Sequence, residues 1–206
     1  MPSLYYENLH GRKDGKVICG VDEVGRGPLA GPVMAAAVVL PPEIKKAMRG
    51  HIRDSKKMTP EAREEIFPVL VGSCRYCVAE ASVEEISRLN IFWASMLAMR
   101  RAVEGLKLQI DLALVDGNHA PDLPCPAKPI VAGDDKCLSI AAASIIAKVT
   151  RDRFMKKLAE AHPGYGWETN VGYATKEHLA ALHRLGITVW HRDSFAPVSQ
   201  LSFAMD

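Results

Sequence analysis

Asp22 and Glu23 stand side by side at the end of an apolar segment, KVICGVD (16–22), that otherwise alternates like a buried strand. An ionised carboxylate on such a strand is costly unless it is paired or bound to a metal. Two later segments end the same way: LALV runs into Asp116, and PIVAG runs into Asp134. In open α/β sheets, sites collect just beyond the carboxyl ends of strands. If these three strands are parallel neighbours, their acidic ends converge and each carboxylate raises the pKa of the others. A divalent cation removes that conflict, and all-oxygen ligation favours Mg²⁺ or Mn²⁺. The later two segments also have an ordinary reading. Asp116-Gly117-Asn118 is turn chemistry, and Gly133-Asp134-Asp135 can turn the chain and cap a helix. Asp22-Glu23 resists that reading, although neighbouring strand residues face opposite ways and reach one site only where the strand bends or ends.

The other elements follow from local signals. Residues 33–40 (VMAAAVVL) form an apolar strand, and the intervening GRGPLAGP must turn, which predicts a hairpin with a wide turn. Thr59-Pro60 opens a helix, with Thr59 as N-cap and proline at the first helical position. Residues 74–81 form a third strand. Ser82 and Glu85 have capping-box spacing, and Asn90 caps a longer helix that stops near Gly105. A long helix runs from about Leu138 to Glu160, and Thr175 starts another that ends near Leu185. Three strands in succession, then alternating helices and strands, predict an α/β fold with a mixed central sheet flanked by helices. No repeat or linker divides the 206 residues. The reading is a single domain, with a core over about 16–160 and a C-terminal helical extension over about 161–206.

Composition narrows the function classes. Apolar residues make up 48% and charged residues 24%, which excludes a disordered chain. No apolar run reaches the roughly 18 residues that cross a bilayer, and the start, MPSLYYENLHGRKDGK, has no apolar signal core. Five cysteines at irregular spacing fit a reducing compartment, so the expected location is the cytoplasm. Cys74 and Cys77 form a CxxC, but on a strand they face opposite ways and no second pair completes a zinc site. No role is assigned to His119. The net charge of +2 does not announce a nucleic-acid partner, yet basic residues gather at Lys56-Lys57, Arg100-Arg101, Lys148 to Lys157 and His191-Arg192. Ser144, Lys148 and Arg151 share one helix face, suited either to a phosphate backbone or to solvent. No heptad seam marks a dimer helix, so a monomer is expected.

Gly25-Arg26-Gly27 is not a dinucleotide loop. The fingerprint G-x-G-x-x-G needs glycine where Ala30 stands, and the segment leads to a strand instead of opening a helix. Glycines do permit close backbone approach, and backbone groups can hydrogen-bond a 2′-hydroxyl, the group that separates RNA from DNA.

Seven blocks, in order, carry a family likeness: ICGVDEVGRGPLAGPV (18–33), DSKKMT (54–59), LNIFWASMLAM (89–99), LVDGN (114–118), GDDKCLSIAAASIIAKVTRD (133–152), GYATKEHL (172–179) and HRDSFAPV (191–198). Together they resemble the ribonuclease HII family, the bacterial type 2 ribonucleases H. The resemblance implies a ribonuclease H-like fold with an added C-terminal helical region. It implies a site for two Mg²⁺ or Mn²⁺ ions made by Asp22, Glu23, Asp116 and Asp134. Asp135 follows Asp134 where the family commonly has serine; Asp134 is preferred because it directly follows the glycine. The resemblance further implies that Gly25, Arg26 and Gly27 contact the ribonucleotide 2′-hydroxyl and that Tyr173 packs on the sugar at the RNA–DNA junction. Lys56, Ser95, Ser144 and Lys148 fall where family members place phosphate contacts. The implied substrates are RNA/DNA hybrids and DNA duplexes containing ribonucleotides, cut 5′ to the ribonucleotide to leave a 5′-phosphate and a 3′-hydroxyl. Two rivals share parts of this pattern. An integrase-like or resolvase-like nuclease would have the acidic strand ends without DEVGRG and GYAT, and a non-catalytic binding module would have lost a carboxylate.

Overall fold

A computed structural model describes residues 1–44, 52, 55 and 58–202, with only the backbone described at 201 and 202. The sheet is built from β1 (Ile18–Val24), β2 (Val33–Val39), β3 (Arg75–Ala81), β4 (Leu112–Asp116) and β5 (Ala127–Ile130), in the order β3-β2-β1-β4-β5. β1, β2 and β3 form an antiparallel meander, whereas β4 and β5 run parallel to β1. The sheet is therefore mixed, and the structure bears out the hairpin across the GRGPLAGP turn.

The helices are α1 (Tyr5–Leu9), α2 (Pro60–Ser73), α3 (Val83–Gly105), α4 (Gly133–Lys136), α5 (Leu138–Ala161), α6 (Trp167–Asn170), α7 (Lys176–Leu185) and α8 (Val198–Ser202). Their starts are set by the expected caps. Thr59 Oγ1 accepts from Ala62 N at 3.2 Å, and Thr175 Oγ1 accepts from His178 N at 3.2 Å. Ser82 and Glu85 form both bonds of the capping box, at 3.1 and 2.9 Å. Asn90 caps as expected, but inside a continuous helical segment, which kinks there at φ 64° and ψ 166°.

Each sheet face is covered by one long helix. Cys19, Val21, Ala35 and Ala37 pack against Ala94, Ala98, Met99 and Ala102 of α3. Ala36 and Val38 face the other way, onto Ala142, Ile145, Ile146 and Val149 of α5, with α2 behind. Alanines along β2 and α5 keep both helices close to the sheet. Closest of all is Gly20, where a Cβ would stand 2.2 Å from the Ser139 carbonyl carbon. That contact seats the start of α5 directly behind the acidic end of β1. The C-terminal segments join through a further apolar cluster in which Leu29 and Ala30 of the loop after β1 meet Met155, Trp167, Leu182 and Val198. Among the described residues, no helix is long and apolar enough to cross a membrane.

Candidate active site

The sheet register brings the acidic ends together. β1 pairs with β4 as far as Val21 opposite Val115, so Asp22 and Asp116 are the next residues on adjacent parallel strands. Alternation points both toward the α5 face, because Val21 and Val115 pack on the α3 side. Glu23 alternates to the other face, at a level where β1 extends past its pairing with β4, and its charge is felt at Asp22. Asp134 arrives differently from the strand end expected for it. β5 stops at Ile130, Ala132 takes a left-handed conformation, and Asp134 sits in the turn of α4. Asp116 Oδ1 accepts from Gly133 N at 2.7 Å and ties that turn to the end of β4. Of the adjacent pair, Asp134 is buried and Asp135 is half-buried, and it is Asp134 whose charge is felt at Asp22.

Electrostatics set this cluster apart from a solvated surface. Asp22 is 3% exposed. Burial, then the neighbouring Glu23, Asp116 and Asp134, push its carboxyl well above the usual carboxylate range, while a hydrogen bond from Ser144 opposes them. Burial also raises Glu23; Arg26 opposes that through an ion pair at 3.3 Å, and Asp116 adds to it. Asp22 Oδ1 accepts from Glu23 N at 2.7 Å. Among the described residues, no three His, Cys, Asp or Glu side chains are already drawn into metal-holding contact. The donor set nonetheless fits a hard divalent cation: oxygen ligands only, mutually repelling, with Asp22 surrounded by acidic groups. Such a cation would supply the missing countercharge.

Behind Asp22 runs a short chain of hydroxyls. Ser144 Oγ lies 2.7 Å from Ser55 Oγ, and the Arg63 guanidinium donates to the carbonyls of Ser55 and Met58, each at 2.7 Å. Ser144 thus touches the Asp22 carboxylate and is buried from the surface. Ser144, expected as a phosphate contact, is 4% exposed. Ser95, also expected as a phosphate contact, is 0% exposed, and its hydroxyl donates back to Ile91 O at 2.7 Å. Lys148 is half-buried and pairs with Asp152 one turn on, at 2.7 Å, so its charge is largely satisfied within α5. Lys56 lies outside the described residues.

The loop between β1 and β2, which begins with Gly25-Arg26-Gly27, is held by two buried arginines. Arg192 donates from Nη2 to Gly25 O at 2.6 Å, from Nη1 to Arg26 O at 3.1 Å, and from Nε and Nη2 to Gly31 O at 2.9 and 2.8 Å. Arg151 donates to Ala30 O at 3.0 Å, Pro32 O at 3.1 Å and Val171 O at 3.0 Å. Burial lowers the guanidinium pKa values to about 9 at Arg192 and about 10 at Arg151, and the nearby Arg151 charge contributes to the former. Gly25 has to be glycine: its φ is 91°, and a Cβ would meet Arg151 Nε at 2.2 Å. Arg151 is therefore not on a phosphate-facing surface, and the basic stretches 148–157 and 191–192 turn partly inward.

Tyr173 is delivered to this loop. Its ring carbon Cε1 lies 3.5 Å from where a Gly27 Cβ would stand, and the side chain is 43% exposed. Leu29 N donates to Gly172 O at 2.8 Å, fastening the two segments. Beneath lies a neutral histidine pair. Thr188 N donates to His191 Nδ1 at 2.9 Å, so His191 carries its proton on Nε2 and donates it to His178 Nε2 at 3.1 Å. His178 Nε2 also accepts from Trp167 Nε1 at 3.0 Å, while its Nδ1 donates to Tyr173 O at 2.9 Å. Protonating His178 at Nε2 would break both incoming bonds. Burial accordingly lowers both pKa values, that of His191 to about 4.

The sign of the pH effect follows. The unfolded imidazoles take protons near pH 6.5 and the folded ones do not, so the pair's stabilisation is complete above that pH and is lost as pH falls toward 4. The raised carboxylates work in the opposite sense, so the comparison must isolate the pair. Between pH 7 and 5 the stability gap between the wild type and His191→Gln should narrow by about 2 kcal/mol in urea titrations. A gap of equal size at both pH values would show that the pair is not held neutral.

Glu7 is a further contributor that local sequence signals do not reveal. Its Oε1 accepts from Ser139 N at 2.8 Å and Ser139 Oγ at 2.7 Å, capping α5 from 132 residues away. Ser3 bonds the flanking residues, donating to Lys136 O and accepting from Leu138 N, both at 3.0 Å. The N-terminal segment is thus stitched across the junction between Asp134 and the helix that carries Ser144.

Comparison with known proteins identifies the family and the fold. The family model described as Ribonuclease HII matches residues 19–198. Ribonuclease HII of Paramagnetospirillum magneticum is 55% identical over 187 residues, covering 90% of this chain and 93% of its own. That of Granulibacter bethesdensis is 58% identical over 193 residues, covering 92% and 88%. Among solved structures, ribonuclease H2 from Pyrococcus horikoshii OT3 aligns with a TM-score of 0.77 at 24% identity, over 91% of this chain and 97% of the other, a likeness of fold. Bst-RNase HIII, solved in complex with Mn²⁺, aligns with a TM-score of 0.72 at 18% identity, over 92% and 70%.

Proposed function

Because the chain belongs to the ribonuclease HII family, whose members are ribonuclease H-type endoribonucleases, we propose that it hydrolyses the RNA strand of RNA/DNA hybrids and cuts 5′ to ribonucleotides embedded in duplex DNA. The observation that carries this reading is the union of two parts: a buried, mutually repelling carboxylate set and, on the same strand, a glycine loop held by Arg192 beside Tyr173.

Asp22, Glu23, Asp116 and Asp134 would hold two Mg²⁺ or Mn²⁺ ions, which supply an activated water and charge stabilisation for the leaving 3′ oxygen. The remaining work belongs to the chain. Ser144 orients Asp22 through its hydrogen bond, and Ser55 orients Ser144. Arg192 and Arg151 occupy the carbonyls of residues 25, 26 and 30–32, which fixes the loop in one conformation before substrate arrives. The Gly25–Gly27 backbone then reads the 2′-hydroxyl, and Tyr173 packs on the adjoining sugar. Because water and not the 2′-hydroxyl attacks, the hydroxyl stays free to be read, and the products carry a 5′-phosphate and a 3′-hydroxyl. We place the enzyme in the cytoplasm as a monomer; its five unpaired cysteines suit that compartment.

The test is product analysis on a labelled RNA/DNA hybrid with Mg²⁺, Mn²⁺ or chelator. Metal-dependent fragments that a 3′-hydroxyl-requiring polymerase extends support the reading. Fragments ending in a cyclic phosphate, or cutting that persists in chelator, would refute it.

A further inference from the structure

β3 leaves the sheet on the catalytic edge, since Ala81 lies opposite Val33 and Met34 lies opposite Val24. From there the chain enters α3 and meets the kink at Asn90, whose φ and ψ of 64° and 166° are rare for any residue with a side chain. Asn90 Oδ1 accepts from Phe92 N at 3.0 Å and Trp93 N at 3.3 Å, restarting the helix. The kink is fastened to the site on both sides. Phe92 meets His119 edge to face at 5.6 Å, in the loop that follows Asp116. Ser87 hydrogen-bonds Asp193, the neighbour of the arginine that holds the glycine loop. Trp93 packs on Phe92 at 5.1 Å and stands 59% exposed, whereas Trp167 is fully buried.

Strained backbone and a large apolar ring held in water at the margin of a site are features of ligand contacts. We propose that Trp93 contacts the substrate: its indole packs on sugars of the duplex flanking the cleaved phosphate. This rests on the nuclease reading above. Bases inside a duplex are stacked and closed to an aromatic side chain, so the apolar surface offered to the ring is the sugar face lining the minor groove. Arg88, exposed two residues before the kink, supplies charge for the adjoining phosphates. The contact adds affinity for duplex and takes no part in bond breaking.

The experiment measures binding of a duplex with one internal ribonucleotide in chelator, and kcat and KM with Mg²⁺, for the wild type, Trp93→Ala and Trp93→Phe. The expected result is about tenfold weaker binding in Trp93→Ala, a parallel rise in KM, kcat within about twofold, and recovery by phenylalanine. Trimming the duplex flank, from each end in turn, should bring wild type and Trp93→Ala together for one end. Equal binding by Trp93→Ala, or a deficit that survives trimming of both ends, would overturn the contact. Wild-type cutting in the same assay keeps the two ideas separable: if the wild type does not cut, it is the nuclease reading that fails.

Discussion

Replacing Asp22 with asparagine should yield a protein that is catalytically dead yet more stable than the wild type. Asp22 is buried among Glu23, Asp116 and Asp134, and each of those charges makes its ionisation harder. In the absence of metal that repulsion is a cost carried by the fold. An amide of the same shape removes the charge, can still accept from Glu23 N, and can donate to the surrounding carboxylates. The thermal midpoint in chelator should therefore rise by a few degrees, about 1 kcal/mol for a chain this long. Turnover should fall by about a thousandfold or more, because a ligand to the metal ions contributes several kcal/mol of transition-state stabilisation. Duplex affinity, dominated by phosphate contacts, should hold or tighten as a negative charge is withdrawn. Retained turnover would remove Asp22 from the catalytic set. A drop in stability would mean that the cluster is not under repulsion.

The second large effect is expected at Arg192, which is not itself a proposed metal ligand. Its guanidinium serves three carbonyls, Gly25, Arg26 and Gly31, in a buried setting. Truncation to alanine leaves buried acceptors without donors, at about 1–3 kcal/mol each. A total loss of about 3 kcal/mol or more is expected, read as a lower urea midpoint. Lysine should not rescue, because a single ammonium cannot match a planar fork that reaches three separate oxygens. The loop that reads the 2′-hydroxyl would lose its fixed shape, so cleavage should drop by more than the unfolded fraction accounts for. Under conditions where Arg192→Ala is fully folded, wild-type activity would show that the loop holds its conformation without the guanidinium.

Local chemistry made much of the fold readable in the sequence. Thr59, Ser82 with Glu85, Asn90 and Thr175 each act within four residues, and all four cap helices as expected. Asp22, Glu23 and Asp116 were legible as candidates because they end apolar strands, whose ends the sheet brings side by side. What escaped depends on distant partners. Arg151 and Arg192 sit in segments that look like exposed basic runs; only folding reveals that loop carbonyls, all but one of them 119 to 167 residues away, surround them. The same holds for Glu7, whose partner Ser139 is 132 residues off. The burial of Ser95 and Ser144 was hidden for a related reason: a serine's spacing on a helix does not say whether its face meets solvent or sheet. The sheet order, with β1 central between an antiparallel and a parallel neighbour, also lies beyond local signals, although it is what turns separate acidic ends into one site.

The central claim is that a buried carboxylate cluster and a ribose-reading loop act as one site. Two DNA duplexes of identical sequence, differing by a single 2′-hydroxyl, test it most directly. With Mg²⁺ or Mn²⁺ present, the account predicts one cut, on the 5′ side of the ribonucleotide, and an intact all-DNA control. Equal cutting of both duplexes, or survival of the ribonucleotide duplex with either metal, would contradict it.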